Sequence, residues 1–162
     1  MKDDLIVFLQ NSPNLVHLEL CQVYEGEKLY FAAGGFKKLK HLGLDEFKEL
    51  RCVEVELGAM PCVEKLSIKR CKLLEEVPSG IEHLTNLKVL KFFDMPEKLM
   101  KTLCPDTQGS DCWKIAHITE VYCSYWREGG WEIYSLECLC DKESNPCLSS
   151  VLKSDELETC RK

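Results

Sequence analysis

Val63-Glu64-Lys65-Leu66-Ser67-Ile68-Lys69-Arg70-Cys71-Lys72-Leu73 places apolar or small buried-type residues at its first, fourth, sixth, ninth and eleventh positions. The opening of that spacing recurs three times. Leu15-Val16-His17-Leu18-Glu19-Leu20, Leu39-Lys40-His41-Leu42-Gly43-Leu44 and Leu87-Lys88-Val89-Leu90-Lys91-Phe92 each read aliphatic-x-x-Leu-x-apolar. The four copies start at residues 15, 39, 63 and 87, so each follows the last by 24 residues. A fixed period of this length marks a stacked structural repeat.

In each copy the second leucine and the next apolar residue are two apart, so both point to one side of a short strand. Such a strand cannot bury its apolar side alone. Stacking the copies in parallel lines those side chains into one core, with neighbouring strands about 4.8 Å apart. The spacing is that of the leucine-rich repeat, L-x-x-L-x-L-x-x-N/C-x-L. The expected fold is an α/β-type solenoid. It forms a right-handed arc with short parallel strands on its concave side, mostly irregular or short-helical return segments, and an aromatic cap at its C-terminal end. Cys71 fills the N/C position, where a buried donor serves the carbonyls of the turn after the strand. Val23, Phe47 and Met95 hold that position in the other copies and cannot donate, so those turns are expected to be less regular.

The return segments differ from one another. Leu50-Arg51-Cys52-Val53-Glu54-Val55-Glu56-Leu57 alternates and predicts a short outer strand. Val77-Pro78-Ser79-Gly80-Ile81 is punctuated as a turn, with Ile81, Leu84 and Leu87 directed inward. On this basis residues 1–95 form about four repeats, the first one incomplete. Asp3 or Asp4 is expected to cap a single helical turn carrying Leu5, Val7 and Leu9. The first repeat is then poorly covered, which gives a route to self-association.

Composition changes near residue 96. All three tryptophans lie between positions 113 and 131, beside Tyr122, Tyr125 and Tyr134. Arg127-Glu128-Gly129-Gly130 between a strand-like run from Ile115 to Trp126 and Trp131-Glu132-Ile133-Tyr134 predicts a hairpin. Residues 96–136 are therefore read as the cap that repeat arrays require. Residues 137–162 carry many charges and few large apolar residues, and are expected to be a disordered tail.

Apolar residues make up 45% of the 162 and charged residues 30%, which describes a soluble globular chain. The net charge of −6 argues against a general nucleic-acid binder. The longest early apolar run is Leu5 to Leu9, far short of the roughly 20 residues a membrane span needs. No export signal is visible, so a cytoplasmic location is expected. The eleven cysteines then read as reduced thiols, mostly in place of small apolar residues. Cys138, Cys140, Cys147 and Cys160 lack the paired spacing of a zinc site, and no metal is expected.

Alternate strand positions face solvent and form columns across the copies. One column is His17, His41, Lys65, Val89; the next is Glu19, Gly43, Ser67, Lys91; the third is Cys21, Asp45, Lys69, Phe93. The candidate protein-binding residues are His17, Glu19, His41, Asp45, Lys65, Lys69, Lys91 and Phe93. The three lysines predict a partner with acidic patches. Stacked His17 and His41 without an orienting carboxylate read as incidental rather than as a metal pair. No enzyme activity is expected. None of His17, His41, His83 and His117 sits in a catalytic motif, and nothing in the sequence favours Cys123 with His117 as a nucleophile pair.

Val77-Pro78-Ser79-Gly80-Ile81-Glu82-His83-Leu84-Thr85-Asn86-Leu87 resembles the plant cytoplasmic repeat consensus. Gly58-Ala59-Met60-Pro61 with Val63-Glu64-Lys65-Leu66, and Trp113-Lys114-Ile115-Ala116-His117-Ile118 with Tyr125-Trp126-Arg127-Glu128-Gly129-Gly130-Trp131-Glu132, resemble the C-terminal leucine-rich-repeat region of plant coiled-coil NB-ARC–LRR disease-resistance proteins. That resemblance covers about residues 9–136. It implies an intracellular immune receptor whose repeats recognise a pathogen effector or a guarded host protein and restrain a nucleotide switch. It also implies the nucleotide-binding domain of the same receptor class as a partner. The chain has no G-x-x-x-x-G-K-[ST] loop, so no cofactor is expected here and the switch lies elsewhere. A free-standing leucine-rich-repeat adaptor or scaffold is the alternative.

Overall fold

The computed structural model describes residues 3–22, 24–103 and 111–135. The strands β1 (His17–Cys21), β3 (His41–Asp45), β5 (Lys65–Lys69) and β6 (Val89–Phe93) fall on the four repeat copies and join in parallel, in that order. Between the first three lie β2 (Lys28–Phe31) and β4 (Cys52–Val55), which form a separate two-stranded sheet on the return path. The architecture is the expected solenoid of parallel strands.

Register follows the repeat without slippage. Leu18, Leu42, Leu66 and Leu90 stand rung over rung, as do Leu20, Leu44, Ile68 and Phe92. Leu42, Leu66 and Leu90 are buried, and so are Leu44, Ile68 and Phe92. The return sheet faces the same core with Leu29, Phe31, Val53 and Val55. The alternating run at 50–57 is thus an outer strand as expected. Its partner β2 has only four residues, and its pattern was not singled out from the sequence.

The backbone repeats as strictly as the side chains. Gln22, Glu46, Arg70 and Asp94 follow their strands with φ between 50 and 56°. Each sends its N–H to the next rung: Gln22 to Asp45 O, Glu46 to Lys69 O, Arg70 to Phe93 O and Asp94 to Ser124 O. This overturns the expectation of irregular turns at Phe47 and Met95. The neighbouring rung, rather than a ladder side chain, satisfies the turn, and Phe47 and Met95 fill the core there. Cys71 is buried and donates its thiol to Lys69 O at 3.3 Å, as its position predicts. Val23 lies outside the described residues.

Gly80 is required by geometry. Its φ is +85°, and a Cβ there would stand 1.8 Å from Val55 O. The close approach comes from the return sheet, which continues as Val55 N–H to Ser79 O at 2.7 Å and Ser79 N–H to Val53 O at 2.9 Å. A side chain would push these return segments apart.

At the N-terminal end, α1 (Asp3–Gln10) is two turns long rather than one. It buries Ile6 and Gln10, four residues apart, while Leu5 and Val7 are exposed. Gln10 Oε1 accepts from Ala32 N–H at 2.7 Å, and Gln10 O accepts from Phe36 N–H at 2.9 Å. The helix is thereby tied to the return path of the first coil.

Beyond β6 come α2 (Glu97–Thr102), α3 (Cys112–Ile115), β7 (Glu120–Arg127) and β8 (Gly130–Ser135). The hairpin is present, but the strand begins at Glu120, and the segment from Cys112 to Ile115 is helical. More consequentially, β7 pairs in parallel with β6, so that Leu90 faces Val121 and Phe92 faces Cys123. The sheet therefore crosses the boundary drawn at residue 95 and gains a fifth rung. Ile118 N–H to Ile115 O repeats Leu87 N–H to Leu84 O, Val63 N–H to Met60 O and Leu39 N–H to Phe36 O. The tail at 137–162, with Cys138, Cys140, Cys147 and Cys160, lies outside the described residues.

Candidate functional site

Pleating sends every second side chain of the long sheet away from the core. On the solvent side the register aligns His17, His41, Lys65, Val89 and Glu120 in one column. The second column is Glu19, Gly43, Ser67, Lys91 and Tyr122, and the third is Cys21, Asp45, Lys69, Phe93 and Ser124.

A shallow depression of about 80 Å³ opens on this face. His17, Glu19, His41, Lys65, Lys69, Lys91 and Phe93 line it, which is seven of the eight residues singled out from the sequence. Its middle is low because Gly43 and Ser67 carry little side chain. A Cβ on Gly43 would stand 3.1 Å from Glu19 Cγ and 3.3 Å from Ser67 Oγ. Small residues at these two positions were part of the column pattern, but their role as the lowest part of the surface is visible only with the neighbouring rungs in place.

Asp45 does not line the depression. It accepts two bonds from Arg70, at 2.9 Å from Nε and 2.7 Å from Nη2, a bidentate pair that holds the guanidinium pKa above its ordinary value. Arg70 follows β5 in the left-handed turn, so the backbone twist aims it at the rung before.

At one end the His17 and His41 rings meet edge to face at 5.5 Å, and His17 Nε2 lies 3.6 Å from Glu19 Oε1. At the other end Lys69 Nζ sits 5.5 Å from the Phe93 ring centroid, and Lys91 Nζ sits 5.6 Å from that of Tyr122. Tyr122 donates to Glu120 Oε2 at 2.7 Å. Phe93 meets Trp131 at 5.9 Å, and Trp131 meets Trp126 at 5.4 Å, both nearly perpendicular. These tryptophans oppose each other across the hairpin. Sequence reading placed them in a cap apart from the repeats. The signal that could have joined them was Ile115-x-x-Ile118-x-x-Val121-x-Cys123, which copies Leu84-x-x-Leu87-x-x-Leu90-x-Phe92.

Among the described residues, no group of three His, Cys, Asp or Glu side chains is placed to hold a metal ion. Cys123 points into the core from β7, and His117 Nε2 lies 3.1 Å from Leu84 O. A second hollow of about 430 Å³ lies between α1, β2 and the turn at residues 32–35, away from the strand face. Among the described residues no helix is long and apolar enough to cross a membrane.

Five parallel rungs with inward columns made mostly of leucine and an outward face of variable side chains define a leucine-rich-repeat solenoid. The chain is similar over 122 residues, 75% of its length, to disease-resistance proteins of Arabidopsis thaliana. It is 34% identical to the probable disease resistance RPP8-like protein 4, 33% to the disease resistance protein RPP8 and 35% to the disease resistance protein RPM1. It is thus homologous to the C-terminal leucine-rich-repeat region of plant NB-ARC–LRR disease-resistance proteins. The matched segment spans 13% of the length of each of these relatives. No family model matches the chain, and no solved structure matches it.

Proposed function

We propose that this chain is a protein-recognition module of a plant intracellular immune receptor, acting in the cytoplasm by binding rather than by catalysis. Its strand face takes a pathogen effector or a guarded host protein. The same module, joined to or meeting the nucleotide-binding domain of its receptor class, restrains that domain's switch.

The observation that carries the proposal is the coincidence of two facts. The chain is homologous to disease-resistance proteins over three quarters of its length, and the side chains of its solvent columns converge on one shallow surface. A broad, open face of this kind suits macromolecular recognition, since it presents many side chains at once without enclosing a small molecule.

The test is an exchange. This chain replaces the matching segment of the RPM1 protein, and pathogen-triggered cell death is scored in leaves. A response altered by the exchange, and altered again by changing Lys65, Lys69 and Lys91 to Glu, supports the proposal. A response unchanged by both overturns it.

A further inference from the structure

We infer that the partner segment seated on the strand face is an acidic stretch of a protein carrying an aromatic residue close to its carboxylates. This rests on the recognition reading above and names the chemistry of the partner.

Charge supplies the first argument. Lys65 and Lys69 on β5 and Lys91 on β6 all line the depression. Five exposed lysines elsewhere are paired in place, Lys28 with Glu54, Lys40 with Glu64, Lys72 with Asp94, Lys98 with Glu75 and Lys101 with Glu97, whereas Lys37, Lys38, Lys48 and Lys88 lie scattered without a carboxylate partner among the described residues. Among the described residues, neither Lys65 nor Lys69 has a carboxylate within 4 Å. Asp45 stands directly opposite Lys69 in the ladder, yet its carboxylate is committed to Arg70. Three lysines against one lining carboxylate, Glu19, make the depression locally cationic on a chain whose net charge is −6. Such a field attracts anionic groups that the rest of the surface repels.

Shape supplies the second. Gly43 and Ser67 keep the centre low, so an extended backbone can pass close to the sheet beside the ammonium groups. Buried Phe93, half-buried Trp131 and exposed Trp126 then meet in turn as a continuous aromatic edge, with Lys69 at its inner margin. Trp126 is 47% exposed, a large apolar area left in water. A partner aromatic ring on that edge would gain burial and edge-to-face contact, while its neighbouring carboxylates meet the lysines.

The experiment uses the full chain and a dye-labelled peptide of ten residues holding three glutamates and, two residues on, a phenylalanine. Binding is read by fluorescence anisotropy at low salt. The inference expects measurable binding, weakened at least about tenfold when glutamines replace the glutamates or when Lys65, Lys69 and Lys91 are changed to Glu. Trp126→Ala, a surface change, should weaken it by about threefold or more. Circular dichroism of each variant checks that the fold is kept. Equal affinity for the glutamate and glutamine peptides overturns the inference, and so does tighter binding of a single-stranded RNA of equal length.

The acidic run Asp155-Glu156-Leu157-Glu158 of this same chain is the other occupant to be distinguished. Should the peptide bind only after Asp155, Glu156 and Glu158 are changed to Asn, Gln and Gln, the chain's own tail fills the face and the partner assignment falls. A peptide failure leaves the receptor reading intact, because the leaf exchange reads recognition whatever the partner's charge.

Discussion

The first four coils and the fifth solve the same problem with different materials. In the first four, strands recur every 24 residues and the inward positions are leucine, isoleucine or phenylalanine. In the fifth, the interval from Leu90 to Val121 is 31 residues, and the inward pair is Val121 and Cys123. The entry turn is nonetheless the same, with Ile118 N–H bonded to Ile115 O and Glu120 N–H to Lys88 O. A solenoid coil is thus defined by its strand and the turn leading into it. The length of the return path is free, because only the ends of that path must meet the neighbouring rung.

The sharpest way to break the comparison is at glycine. Gly80 and Gly129 both have φ near +85°. At Gly80 an added methyl meets Val55 O, whereas at Gly129 nothing lies within 4 Å. Gly80→Ala should cost about 4 kcal/mol or more, from overlap added to backbone strain. Gly129→Ala should cost about 1 kcal/mol, from strain alone. Urea denaturation of the two variants measures the contrast, and equal losses would show that the return segments are not in close contact.

Core truncation gives the next largest effect. Leu66→Ala, between two well-filled rungs, should cost about 3 kcal/mol. Val121→Ala removes less side chain from the fifth rung and should cost about 2 kcal/mol. Two separate transitions for Val121→Ala, by circular dichroism and tryptophan fluorescence, would reveal that the hairpin end unfolds on its own.

Alkali tests the ladder position. Burial pushes the Cys71 thiol above its ordinary pKa, partly offset by a hydrogen bond with the Phe47 backbone. The folded state therefore holds the proton more firmly than the unfolded one. Stability from this group is complete below the ordinary thiol pKa of about 8.5 and is lost as pH rises through the higher folded value. Stability measured across that range should fall less steeply in Cys71→Ala than in the parent. Identical slopes would remove Cys71 from the alkaline transition.

The smallest effect is expected at the Asp45–Arg70 pair. Arg70 is 48% exposed at the side chain, so water and ions screen the interaction. Asp45→Asn should cost at most about 1 kcal/mol, less at high salt. A larger or salt-independent loss would show that the pair does more than tie adjacent turns.

Leu18, Leu42, Leu66 and Leu90 made the array readable in sequence because one residue type recurs at one interval. The solvent columns followed from strand alternation, and seven of the eight chosen residues do line one depression. Asp45 left it because a turn residue, Arg70, reaches back one rung, and nothing in local spacing reports the direction of a left-handed turn. The fifth rung escaped because its interval is longer and its inward residues are smaller. The aromatic edge escaped with it, since Phe93 and Trp131 meet only once β7 and β8 join the sheet. The length of α1 differs from the expectation because its buried pair, Ile6 and Gln10, includes a polar residue whose side-chain oxygen accepts from Ala32 N–H on the return path of the first coil.

The turns after the strands hold together through amide-to-carbonyl bonds between rungs, whatever side chain each position carries. Glutamine, glutamate, arginine and aspartate all serve there. A scaffold secured in that way leaves its outer columns free to diversify, because mutations there disturb neither the inward leucines nor the bonds that stack the coils. Whole coils can equally be duplicated or lost with little penalty to those that remain. Such latitude lets the outer face change its chemistry while the stack beneath it stays the same.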